Sequence, residues 1–164
     1  MSRSTIRHAA AQFLSAPQIP GVGTVFASPP KIARSSDAFA NLPAGTASGS
    51  VVFVEVLHVV ETRIALGGPT SGTKESTYTL RFHLLFRSRQ DTAEAAMDDH
   101  DDQVEAILDR FRSDRTLGTN GAILQFGQDA TGITIATGLP KMAGTGSTHI
   151  WTIIDGAAKE LYTA

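Results

Sequence analysis

The densest group of ligand-type side chains in the sequence is DDHDD, residues 98–102. Carboxylates flanking an imidazole are the donors that hold hard and borderline divalent cations. Their spacing argues against a shared coordination sphere. At about 100° per residue on a helix, Asp98 and Asp102 fall on the outer face with Asp99 beside them, while His100 turns into an apolar stripe near Met97 and Val104. One ion would reach only the outer pair, and two carboxylates four residues apart complete no sphere. The run therefore reads as a solvated acidic face beside a half-buried histidine. A metal-dependent hydrolase built on Asp98, His100 and Asp102 is the least favoured functional reading.

Other constellations also fall short of catalysis. The five histidines, His8, His58, His83, His100 and His149, sit in no catalytic motif, and no G-x-S-x-G elbow is present. The stretch GGPTSGTK, residues 67–74, resembles a phosphate-cradling loop, but Lys74 is followed by Glu75 rather than Ser or Thr. It lies between two strand signals and reads as a hairpin loop. Cysteine is absent, which removes disulfides, thiolate metal sites and a cysteine nucleophile together. We expect no catalytic, cofactor or metal site.

One further group carries charge in a pattern. Arg81, His83, Arg87 and Arg89 alternate with apolar residues on one strand and form a basic stripe. The stripe is either an ordinary wet sheet face or a surface that pairs across a subunit boundary with the acidic face of Asp98 and Asp102. These six residues are the candidate subunit or tube interface. Nucleic acid is not the expected partner: 14 Lys and Arg balance 16 Asp and Glu, and no stacking aromatic accompanies the arginines.

The elements that must position these residues are legible from periodicity. Ser4 or Thr5 can cap a first helix through Ile6, Ala9, Ala10, Phe13 and Leu14, which Pro17 and Pro20 prevent from continuing. Residues 18–50 read as a long loop excursion with a brief strand at residues 24–26. Residues 51–66 are rich in β-branched side chains, and Val52, Val54, Val56, Val60, Ile64 and Leu66 would form one apolar face of a long strand that has room for a bulge. A second strand alternates Tyr78, Leu80, Phe82, Leu84 and Phe86 with Thr79, Arg81, His83 and Arg87, with Leu85 alone breaking the polar set. The two make an antiparallel hairpin.

A second helix starts at Asp91 with Glu94 completing a capping box, buries Ala93, Met97, Val104, Ile107, Leu108 and Phe111, and closes at Leu117 and Gly118. Three more strands are expected near residues 122–126, 133–137 and 148–154, with the tail AAKELYTA undecided between strand and helix. The fold class is α+β: one domain over residues 1–164, with a mostly antiparallel sheet, a long β-hairpin and both helices packed on one face. No apolar run spans a bilayer or reads as an export signal, so neither membrane nor secretion is expected.

With these elements in order, ETRIALGGPTSGTKESTYTLRFHLLFRSRQ, AMDDHDDQVEAILDRFRSDRTLGTNGAILQFGQ and THIWTIIDGAAKELYTA resemble the tail terminator proteins of siphophages, especially those of actinobacterial phages. The resemblance spans nearly the whole chain and rests on element order, because that family has no catalytic signature. It implies a structural virion protein at the neck end of the tail, assembled in the host cytoplasm. It also implies a homo-hexameric ring that caps the tail tube protein, stops its polymerisation and joins the tail to the head-tail connector protein. A head completion or connector protein is the neighbouring alternative, sharing size, symmetry and lack of chemistry.

Overall fold

The computed structural model describes residues 1–29, 48–64, 72–120, 125–127, 132–143 and 146–163. The first helix, α1 (Arg3–Ser15), is capped by Ser2 rather than Ser4 or Thr5: the Ser2 hydroxyl accepts the Thr5 backbone N–H at 3.1 Å. Its Ile6, Ala10, Ala11, Phe13 and Leu14 are buried. The short strand expected after it is β1 (Val22–Phe26), which runs parallel to the next strand, β2 (Ser48–Arg63). Strand β2 thus begins inside the stretch expected to be loop, and residues 30–47 of that stretch lie outside the described residues.

Strand β2 pairs antiparallel with β3 (Thr73–Ser88) along its length. The register passes from Val56 opposite Leu80 to His58 opposite Thr79, so Leu57 is a bulged residue. This corrects the expected apolar face. Val52, Val54 and Val56 point into the core, but beyond the bulge the alternation inverts and Val59, not Val60, stands opposite Tyr78. Residues 58–64 are exposed on both faces of the strand, Val59 at 41% as well as Val60 at 59% and Ile64 at 55%, and Leu66 lies outside the described residues.

The second helix, α2 (Ala93–Ser113), is capped by Thr92, whose hydroxyl accepts the Ala95 N–H at 3.2 Å, in place of the Asp91 box. The buried residues of α2 are Ala96, His100, Gln103, Val104, Ile107, Leu108 and Phe111, while Ala93, expected in the stripe, is exposed and Met97 is only partly buried. The helix stops at Ser113, earlier than expected. Asp114 accepts the Thr116 and Gly118 backbone N–H groups and the Thr116 hydroxyl, which holds its carboxyl below the usual range.

The remaining strands are β4 (Gln125–Phe126), β5 (Ile133–Thr137), the unexpected β6 (Lys141–Ala143) and β7 (Ser147–Thr163). The undecided tail is strand. It must be, because β7 lies against β3 for sixteen consecutive pairs, out to Thr73 opposite Thr163. Along its other edge β7 holds β6, β5 and β4 in turn. Among the described residues the result is a strongly curled, mostly antiparallel sheet of seven strands in an α+β fold.

Both helices pack on the face of β3 that carries Tyr78, Leu80, Phe82 and Leu84. Phe111 of α2 lies 4.8 Å from Phe82 and 4.9 Å from Phe126, centroid to centroid, and 6.4 Å from Phe13 of α1. Buried aromatic clusters of this kind supply a large share of core energy, with about 0.5–1.5 kcal/mol per pair beyond area burial. Arg110 fastens the two helices: it donates to the Phe13 and Ala16 carbonyls at the end of α1 and lies 4.5 Å above the Phe13 ring.

Candidate interaction surface

The opposite face of the sheet carries the polar side chains of β3, and the register explains their partners. Glu55, Arg81 and Asp155 stand in one row across β2, β3 and β7. Arg81 grips Asp155 with Nε and Nη2, both at 2.8 Å, the fork geometry that a guanidinium offers a carboxylate. That hydrogen bonding raises the Arg81 pKa. The sequence shows Arg81 as a free cation of the stripe; folding gives it a partner from 74 residues away.

His83 sits one step further along. Its ring stacks on Phe53 at 4.3 Å and 13°, its Nε2 is 2.8 Å from Glu55 Oε2, and its Nδ1 accepts the indole N–H of Trp151 at 3.2 Å. Because an indole nitrogen can only donate, Nδ1 must be the bare nitrogen and Nε2 the one carrying the proton toward Glu55. A carboxylate, an imidazole and a third group in line resemble a triad. Here the place of a nucleophile is taken by an indole, whose nitrogen lone pair belongs to the aromatic ring and is not free to attack. The arrangement orients Trp151, which is 52% exposed, rather than activating an oxygen or sulfur.

Arg87 is half-buried opposite His149. Burial, and then the nearby Arg87 charge, push the His149 pKa below its ordinary value. Arg89 follows the strand and is exposed. Of the expected stripe, then, Arg81 and His83 are engaged within the chain, and Arg89 is presented outward.

The acidic cluster divides as its helical spacing predicts. Asp98 and Asp102 are exposed on α2, Asp99 is held by the Ser48 hydroxyl at 2.7 Å and the Gln90 amide at 2.9 Å, and His100 is completely buried rather than half-buried. His100 Nε2 lies 2.7 Å from the Thr152 hydroxyl and Nδ1 2.8 Å from Asp101, with the Phe86 ring edge-on at 5.5 Å. Asp98, His100 and Asp102 therefore do not converge, and among the described residues no three His, Asp or Glu side chains form a group able to hold a metal ion. Since α2 covers the core face of the sheet, its acidic side looks away from Arg81 and His83 on the opposite face.

Sequence reasoning missed a third feature. Ile135, Leu139, Met142 and Trp151 are exposed along the margin made by β5, β6 and β7, with Leu139 at 84% and Met142 at 77%. The same margin is a sheet edge, as is β1 at the far side, and among the described residues neither is paired beyond the order given above. The hydropathy of Leu139 and Met142 was visible, but nothing in their spacing separated an exposed margin from a core position. Among the described residues no helix is long and apolar enough to cross a membrane. No protein-family model matches the chain, and no curated protein sequence matches it.

Proposed function

We propose that this chain is a ring-forming structural subunit of the virion neck, a tail terminator that caps the tail tube, stops its growth and joins it to the head connector. The observation that carries the reading is the pair of strand edges at opposite ends of one sheet, β1 at one end and β5 with β6 at the other, that no further strand pairs among the described residues. Joining unlike edges of successive copies is a heterologous contact, and such contacts generate rings when the repeated rotation closes. Exposed strand edges otherwise invite uncontrolled pairing, which proteins avoid by covering them; a ring covers both at once.

The resemblance of the element order to siphophage tail terminators supports the terminator over a generic ring, and the opposed Arg89 and Asp98–Asp102 charges favour a fixed register between copies. A head completion or connector protein, which shares size, symmetry and lack of chemistry, is the alternative. The two part in one experiment: purified tail tube protein is polymerised with and without this chain and imaged by negative stain. A terminator yields tubes that stop growing and carry a ring at one end. Tubes that elongate without limit and bear no ring exclude that role and leave the connector.

A further inference from the structure

His83 is the buried middle of a hydrogen-bond chain that reaches the surface at Trp151. The imidazole residue is 7% exposed and the tryptophan 52%. Nδ1 of His83 accepts the indole N–H at 3.2 Å, and the proton on Nε2 points to Glu55 at 2.8 Å. Phe53 stacks on the imidazole at 4.3 Å, and the indole leans toward it with ring centroids 5.6 Å apart. This chain of bonds exists in one protonation state only. It needs a bare Nδ1, and an imidazolium has no bare nitrogen.

The charges around the ring decide what a second proton meets. On the same face of the sheet the ring has Glu55 from β2, Arg81 next along β3, and Asp155 across on β7. Arg81 and Asp155 hold each other, which leaves Glu55 as the carboxylate in direct contact with the imidazole. Arg3 and Arg7 of α1 border a cleft with Glu55. Arg87, His149 and Lys141 share one row on the far side of Trp151, and β1 and β5 contain no charged residue.

We propose that His83 is a proton-operated latch on Trp151: the neutral ring holds the indole, and the imidazolium releases it. A proton added at Nδ1 sets two N–H donors against each other across 3.2 Å. Turning the ring over restores nothing, since both nitrogens of an imidazolium donate. The Glu55 bond survives and becomes an ion pair. Burial decides which partner moves: the Phe53 stack and Glu55 hold the imidazole in place, while the half-exposed indole has water to bond instead. Histidine changes charge in the ordinary pH range, and a tryptophan fixed at a surface is the type of residue that anchors protein contacts. Mild acid therefore changes the surface that the chain offers to any partner at Trp151. The latch operates in the isolated chain and does not rest on the neck reading.

The test is nitrogen-15 NMR on the full chain, titrated from about pH 8 to about pH 5, the range in which imidazoles change charge. Trp151 is the only tryptophan, so its indole N–H gives a single side-chain peak. The expected result is that Nδ1 of His83 passes from bare to protonated while the indole peak moves, with the same midpoint, toward the position of a water-exposed indole. His83→Gln, whose amide carbonyl accepts without titrating, should lose this movement. His149→Gln, which removes the histidine in the adjoining row, should keep it. Thermal melting of each variant checks that the fold survives. An indole peak that stays in place while His83 titrates, a proton on Nδ1 at about pH 8, or the native movement persisting in His83→Gln overturns the inference. Loss of the movement in a folded His149→Gln would assign it to His149 and likewise overturn the latch. Should His83→Gln fail to fold, the native titration decides alone, because the match or mismatch of the two midpoints needs no variant.

Discussion

The ring of Phe126 lies so close over Gly156 that a β-carbon at that glycine would stand 2.5 Å from Cζ and 2.7 Å from Cε2. Gly156 is in the middle of β7, opposite Leu80 on one side and Ile133 on the other. Its lack of a side chain lets the two-residue strand β4 deliver Phe126 into the aromatic cluster with Phe82 and Phe111.

Gly156→Ala should therefore destabilise the fold by about 1–3 kcal/mol, the cost of overpacking a filled core. The measurement is urea unfolding. Phe126→Leu should recover part of the loss when combined with Gly156→Ala, because the two positions touch and their effects must couple. Strict additivity of the two would mean that the ring and the glycine do not constrain each other.

Tyr78 should titrate far from an ordinary phenol. Burial, then its hydrogen bond to Glu160 at 2.8 Å, raise its pKa to about 12. A raised acid pKa in the folded state means that the unfolded chain loses its proton first, so the contribution is intact below the ordinary value of 10.0 and is lost as pH climbs toward about 12. The chain has two tyrosines, so Tyr162→Phe leaves Tyr78 alone to be followed by ultraviolet absorbance. A midpoint near 10 in that variant would contradict the buried hydrogen bond.

His149 gives a pH dependence at the acid side. Its folded pKa is depressed, so below its ordinary value of 6.5 the unfolded chain binds a proton that the folded chain resists. This contribution is complete above about pH 6.5 and fades as pH falls through the depressed value. His149→Gln should flatten that part of the stability profile, and Arg87→Gln should weaken it to a smaller degree because burial is the larger cause. Unfolding midpoints across this range, compared among the three proteins, provide the check.

Arg81 and Asp155 should behave as a structural pair. Their side chains remain 32% and 26% exposed, so solvent screening limits the expected coupling to about 1 kcal/mol in a double-mutant cycle. Reversing Arg81 would thus disturb the fold itself and is a poor probe of assembly.

Arg89, Asp98 and Asp102 are the cleaner probes, being exposed. In the ring reading, Arg89→Glu should abolish ring formation with little change in melting temperature, and Asp98→Lys with Asp102→Lys in the same molecule as Arg89→Glu should restore it. Native mass spectrometry or negative stain reads the outcome, and unaltered rings in Arg89→Glu would remove charge pairing from the interface.

The sequence by itself determined the α+β class, two helices, the hairpin and the core face of β3, because the alternation from Tyr78 to Phe86 and the helical spacing from Val104 to Phe111 are local signals written by the period of each element. It also determined that Asp98 and Asp102 point away from His100. Tertiary structure alone decided the rest. A single bulge at Leu57 reversed the alternation of the distal half of β2, and that half runs past the cover of the core, so Val59 and Val60 are both exposed. The tail became strand because β3 offered a long edge to pair with, a non-local contact that no window of the tail contains. Likewise the basic stripe acquired Asp155, Glu55 and Trp151 as neighbours from other strands, since cross-strand partners are set by sheet order and register and not by distance along the chain.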